Sequence, residues 1–205
     1  MTKRTALLVA SALAASLVGC ASNGDGGAAP TTAVASKTVE GKDRVEFTDT
    51  VQMTAVVDAV DLSKREVRLR GPGGRKATLS VDESVKNLPQ VKVGDEVSVT
   101  YIESLVFQVR KPGEAAPGRT GAAVVGTAAP GQKPAGEALE TITVTTLVEA
   151  IDREARTITL QTADGETRAL EVQNPANLEK VKVGDMLDIT YTKALAIAVE
   201  APPTR

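Results

Sequence analysis

A five-residue phrase, Val91-Lys92-Val93-Gly94-Asp95, recurs as Val181-Lys182-Val183-Gly184-Asp185, and the match runs on in both directions. Six residues beyond each Asp stands a tyrosine, Tyr101 and Tyr191, and four further on a leucine, Leu105 and Leu195. Upstream, Val57-Asp58-Ala59-Val60-Asp61 matches Val148-Glu149-Ala150-Ile151-Asp152, Arg65 matches Arg156, Leu69 matches Leu160, and Leu79 matches Leu170. A single-residue difference between Val81 and Asn87 against Val172 and Asn177 keeps the register. Two copies of one module of about 60 residues follow, so each copy must solve the same folding problem.

Within each copy apolar and polar residues alternate with period two, the mark of strands that bury one face. In the first copy Met53, Ala55, Val57 and Ala59 share a face, followed by Val67 and Leu69, then Ala77, Leu79 and Val81, then Val97, Val99 and Tyr101, and last Leu105, Phe107 and Val109. Five strands are predicted. Asp61 to Arg65 makes a polar turn; Gly71-Pro72-Gly73-Gly74 in one copy and Ala163-Asp164-Gly165 in the other make hairpin turns. Ser84 to Val91 leaves room for one helical turn. Three strands, a short helical connection and two more strands is the order of an OB-like barrel, whose closure removes exposed sheet edges. The expected fold class is all-β, with two tandem five-stranded small OB-like barrels. A five-stranded sandwich or SH3-like barrel is the alternative.

The expected domains are a signal segment at 1–19, a flexible tether at 20–44, the first module at 45–111, a linker at 112–139 and the second module at 140–201. The tether reads Ala21-Ser22-Asn23-Gly24-Asp25-Gly26-Gly27 and continues small and polar, with no apolar period. The linker carries Pro112, Pro117, Pro130 and Pro134 among its glycines. Its Ala122-Ala123-Val124-Val125 patch has the composition to pair as a strand, but the segment as a whole is read as a linker.

The repeated pattern, Val-Asp/Glu-Ala-Val/Ile-Asp, then Arg, Asn-Leu, Val-Lys-Val-Gly-Asp and a downstream Tyr, resembles the small β-barrel modules of uncharacterised proteobacterial lipoproteins and periplasmic proteins. That resemblance implies a fold and no activity. The second copy departs from the pattern at Lys193, where the first has Glu103. At the N-terminus, Leu17-Val18-Gly19-Cys20 follows an uncharged run from Ala6 to Val18 preceded by Lys3 and Arg4. This resembles the lipobox of bacterial lipoproteins, which implies cleavage before Cys20, a diacylglyceryl group on its thiol and acylation (palmitate among the chains) of the new N-terminus. The run is also shorter than the roughly 20 apolar residues that a spanning helix needs. Ala21 stands where resembling proteins retained at the inner membrane carry Asp, which implies the periplasmic face of the outer membrane.

Composition then narrows the function. Cys20 is the only cysteine, so once it is modified no thiol remains for a disulfide. There is no His and no Trp; the commonest general base, the commonest neutral metal ligand and the largest stacking platform are all missing. We expect no enzyme, no cofactor, no metal and no nucleic-acid partner. With 24 basic and 26 acidic residues in the whole sequence, loss of Lys3 and Arg4 leaves a mature net charge of −4.

Residues identical in both copies read first as scaffold. Tyr101 and Tyr191 are expected to pack and bond locally, Asp61 with Arg65 and Asp152 with Arg156 to pair across turns, and Asn87 and Asn177 to pin the helical connection. Differences between copies are the better guide to specialisation. Residues 50–111 carry ten basic and eight acidic side chains, against six and eleven in residues 140–200. The excess gathers at Lys64, Arg65, Arg68, Arg70, Arg75 and Lys76, whereas Arg68 and Arg70 become Thr159 and Gln161 in the second copy. Arg68, Arg70, Arg75 and Lys76 are therefore the candidate site for an anion or an acidic partner. The expected function is that of a membrane-anchored, non-enzymatic envelope lipoprotein that binds or assembles with a protein or an anionic envelope component; the alternative is a structural or stress-related lipoprotein with no specific ligand. An enzyme would need a carboxylate pair such as Glu103 and Asp58 to converge.

Overall fold

A computed structural model describes residues 29–129 and 131–202. The signal segment and Cys20 lie outside the described residues. Ten antiparallel strands form one sheet, with no α-helix among the described residues: β1 (Thr32–Glu40), β2 (Arg44–Asp61), β3 (Glu66–Arg70), β4 (Lys76–Ser80), β5 (Glu96–Arg110), β6 (Gly118–Thr127), β7 (Ala135–Asp152), β8 (Thr157–Gln161), β9 (Thr167–Glu171) and β10 (Met186–Glu200). Their order is β4-β3-β2-β5-β10-β7-β8-β9, and β1 and β6 add to the free flanks of β2 and β7.

The repeat becomes a twofold axis. β5 and β10 pair over their whole length, and Glu103 lies opposite Lys193, its own counterpart in the other copy. Tyr101 likewise faces Leu195, and Leu105 faces Tyr191. An antiparallel ladder that sets equivalent residues opposite each other is related to itself by a dyad through that pair. The axis therefore passes between Glu103 and Lys193.

This pairing corrects the expected barrels. The fourth and fifth strands of each copy are one strand, because the alternation from Val97 to Val109 never changes phase and no turn residue interrupts it. The second half of β5 thus leaves its own copy. Val57, Val67, Leu88, Val91 and Val97 form one core, packed by Val199 from the other copy. Val148, Ile158, Leu160, Leu178, Val181 and Leu187 form the other, packed by Phe107 and Val109 of β5. Each core is completed by the other repeat.

The ends of the sheet are shaped by the residues that repeat. β2 carries a bulge between Val57 and Ala59, and β7 one between Val148 and Ala150, which bend the strands so that the hairpins β3–β4 and β8–β9 curl over their cores. Short 3-10 turns, Leu88–Gln90 and Pro175–Glu179, each drive one leucine, Leu88 or Leu178, into the centre at 2% exposure. The Val-Lys-Val-Gly-Asp phrase turns the chain into β5 and β10. Gly94 and Gly184 sit at φ of 94° and 91°, which a side chain resists, and donate N–H to the carbonyls of Val57 and Val148 at 2.9 Å. Asp95 and Asp185 accept the Lys92 and Lys182 N–H groups at 2.8 and 2.9 Å. These buried carboxylates are further met by Lys133 and Lys111.

Two further expectations are corrected. The tether expected at 20–44 contains β1, and the linker expected at 112–139 contains β6 and the start of β7. Both segments are edge strands exposed on both faces, so no burial pattern marks them; β1 is exposed throughout. What holds them is the backbone ladder, regular over nine pairs in β1 and ten in β6.

Candidate functional site

The basic side chains expected to act together lie on the β3–β4 hairpin. Arg70 pairs with Lys76 across the ladder and Arg68 with Thr78. Val67 is buried in the core, so alternation turns Arg68 and Arg70 away from it. Arg75 follows the glycine turn, in which Gly73 and Gly74 both have positive φ. The four residues are thus neighbours on one hairpin, and two of them are already engaged: Arg68 Nε and Lys76 Nζ both donate to Asp58 Oδ2 at 3.0 Å. Asp58 is the bulge residue of β2. The Lys76 ammonium, then the Arg68 guanidinium, hold its carboxyl below the usual carboxylate range. Arg70 and Arg75 are the free cations of the patch as far as the described ion pairs go. A shallow groove of about 670 Å³ opens beside the hairpin, lined by Ala59, Asp61, Leu62, Glu66 and Arg68 among others.

Arg65 is not part of this surface. It adopts φ of 53° and spends its guanidinium on main-chain carbonyls, donating from Nε to Val81 at 3.0 Å and from Nη2 to Asp82 and Val85 at 2.7 and 2.9 Å. Asp61 accepts instead from the Ser63 and Lys64 N–H groups. The expected Asp61–Arg65 pair is therefore replaced by an Asp-capped turn, with Arg65 tying the β4 exit to it. In the second copy Arg156 keeps the same φ but pairs with Glu171 at 3.8 Å, and Asp152 accepts from the Ala155 N–H. Asn87 does pin its connection, donating from Nδ2 to the Ala129 carbonyl at 2.9 Å in the segment that leads into β7. Asn177 makes no equivalent side-chain bond among the described residues, and its Oδ1 is buried without a partner; Asn174 caps that turn.

A second cluster sits on the dyad. Residues 101, 103 and 105 of β5 and 191, 193 and 195 of β10 share the face on which both cores lie. Tyr101 and Tyr191 both donate to Glu103 Oε1, at 2.8 and 2.5 Å. Lys193 Nζ lies 5.3 Å from the Tyr191 ring centre. The Tyr191 and Tyr101 hydroxyls, followed by the Lys193 charge, lower the Glu103 pKa. Tyr191 itself is pushed up to about 12, first by its bond to that carboxylate. Asp49 on β2 and Glu140 on β7 complete the row, opposite Glu103 and Lys193. Two identical tyrosines thus share one carboxylate that only the first copy supplies. At the axis itself the exchange sets opposite charges against each other, where two copies of either sequence would place like charges.

Apolar side chains flank this polar row. Val34, Val51, Tyr101, Leu195, Ala138 and Val125 form a continuous line across six strands. The other face is rich in hydroxyls: Thr143 meets Thr190 at 2.8 Å and Thr141 meets Thr192 at 3.3 Å, while Arg110 of one copy pairs with Asp188 of the other.

Glu103 and Asp58 do not converge. Glu103 lies opposite Asp49, nine residues before Asp58 on β2, which separates the two by roughly 30 Å at about 3.4 Å per residue. Among the described residues no three His, Cys, Asp or Glu side chains gather as metal ligands, and no helix is long and apolar enough to cross a membrane. Comparison with protein-family models, with curated proteins and with solved structures finds no match to this chain.

Proposed function

We propose that the chain is a lipoprotein of the cell envelope, anchored through acylated Cys20 at the periplasmic face of the outer membrane, whose duplicated sheet is a non-enzymatic binding or assembly module for a protein or an anionic envelope component. The anchor rests on the lipobox-like Leu17-Val18-Gly19-Cys20. Two or three acyl chains, at about 0.8 kcal/mol per buried CH₂, hold a protein durably where one holds it marginally. The observation that carries the binding reading is the asymmetry of the two equivalent hairpins. Arg68, Arg70, Arg75 and Lys76 on one become Thr159, Gln161, Glu166 and Thr167 on the other. A fold that needs only one solution for its hairpin has two, and one of them presents cations.

The second reading, a structural lipoprotein without a specific ligand, is favoured by one contact: Asp58 already satisfies Arg68 and Lys76. The two are separated by binding of the full chain carrying Cys20→Ser, which removes the acyl anchor, to vesicles containing phosphatidylglycerol against vesicles of phosphatidylcholine alone. The binding reading expects salt-sensitive attachment that Arg70→Glu with Arg75→Glu abolishes. Equal attachment of parent and variant assigns the patch to the surface only. Incorporation of labelled palmitate, lost in Cys20→Ser, tests the anchor separately.

A further inference from the structure

We propose that β6 is a self-pairing edge, through which two copies of this chain join their sheets antiparallel about Ala123. β6 pairs with β7 alone among the described strands, and its other side is free. Natural sheets protect such an edge with lysine, proline, a bulge or brevity. β6 has no lysine, proline, bulge or brevity, and a single charge, Arg119, near one end: it is ten residues of Gly-Arg-Thr-Gly-Ala-Ala-Val-Val-Gly-Thr in unbroken register. Val124 and Val125 are 57% and 76% exposed, on opposite faces of the strand. The equivalent edge, β1, is protected by Lys37, and its Glu40 is already engaged by Asn174 and Lys180 at 3.2 and 3.3 Å.

The phase of the ladder specifies the joint. Ala128 N–H bonds the Ala135 carbonyl at 2.8 Å, and Ala128 continues the β6–β7 register, so the even-numbered residues of β6 address β7. The odd-numbered residues, Arg119, Gly121, Ala123, Val125 and Thr127, direct their N–H and C=O outward. Setting Ala123 opposite Ala123 of a second copy places Gly121 against Val125 and Arg119 against Thr127, and every outward group of these residues gains a partner. The same register sets Val124 against Ala122. Each valine meets a residue with one side-chain carbon or none, and the arginines of the two copies lie at opposite ends of the joint. The apolar line that runs from Val34 to Val125 would then continue into the second molecule. This contact is closed by its own twofold axis, so it makes a dimer and not a filament. It repeats between molecules what β5 and β10 do within one.

The test uses the full chain carrying Cys20→Ser. Sedimentation equilibrium is expected to show a concentration-dependent dimer. Ala123→Pro removes an N–H that the monomer does not use, and an edge strand tolerates it; the variant should sediment as a monomer and keep the urea midpoint that the parent shows when diluted to its monomer. Val125→Lys, which keeps the backbone intact, should do the same. Ala123→Cys should be joined by a short bismaleimide. Arg119→Cys mixed with Thr127→Cys should cross-link where Thr127→Cys alone does not. A parent that stays monomeric, a dimer that survives both Ala123→Pro and Val125→Lys, or open-ended oligomers of the kind β1 against β6 would make, overturns the proposal.

Discussion

Phe107 belongs to the first repeat by sequence and to the second core by packing, and its removal tests that exchange. Its ring meets Phe47 edge-on, with centroids 6.3 Å apart at 84°, and it packs against the cluster of Val148, Leu178 and Leu187. Phe→Ala at a fully buried site costs about 3–5 kcal/mol. Phe107 is only partly buried, so about half of that, roughly 2 kcal/mol, is expected from Phe107→Ala, including the lost aromatic pair. Urea unfolding gives the magnitude. Methyl NMR gives the place: the shifts should concentrate on Val148, Leu178 and Leu187 and leave Leu88 and Val57 nearly unmoved. Perturbation centred on Leu88 and Val57 would mean that β5 folds back on its own repeat, and would refute the shared cores.

Tyr191 and Tyr101 are the only tyrosines and there is no Trp, so ultraviolet titration reads the dyad directly; Tyr191 should ionise near 12, and Glu103→Gln should return it toward the ordinary value of about 10. Because its folded pKa is raised, the stability Tyr191 contributes is present below about pH 10 and lost as pH climbs toward 12. Glu103 has the opposite sign: its pKa is lowered, so its contribution is present above the unfolded value of about 4.3 and is lost as pH falls through the lower folded value, a dependence that Glu103→Gln should remove from the acid limb of a stability profile. Asp58→Asn releases Arg68 and Lys76, and under the binding reading it should strengthen attachment to phosphatidylglycerol vesicles; weaker attachment would count against a role for those cations. Gly94→Ala and Gly184→Ala force a side chain into the left-handed region and should each cost about 1 kcal/mol or more in urea unfolding.

The hairpins β3–β4 and β8–β9 were legible because each buries one face, which writes Val67 and Leu69, or Ile158 and Leu160, at spacing two. β1 and β6 were not, since a strand exposed on both sides leaves no period to read. The joining of two expected strands into β5 had a signal in the constant phase of Val97, Val99, Tyr101, Leu105, Phe107 and Val109. It was masked by Glu103, which breaks the apolar face for a reason that lies in the other copy. Asp58 gave no sign of its two cations because its position depends on the bulge. The basic hairpin was visible as charge, and the dyad cluster only as the exchange of Glu103 for Lys193; what makes them neighbours is a register between strands that lie far apart in the chain.

The two repeats are halves of one sheet, joined through the pair Glu103 and Lys193. The bonds from Val109 N–H to Asp43 and from Val199 N–H to Pro134 direct the odd residues of β5 and β10 outward from each other, so this pair is a non-hydrogen-bonded one with Cα atoms about 4.5 Å apart. That separation accepts a disulfide. In the full chain with Cys20→Ser, Glu103→Cys and Lys193→Cys together should oxidise to a bridge within one molecule, seen by mass spectrometry as a loss of two hydrogens in a peptide pair spanning both repeats. Free thiols under oxidation, or bridges only between molecules, would contradict it.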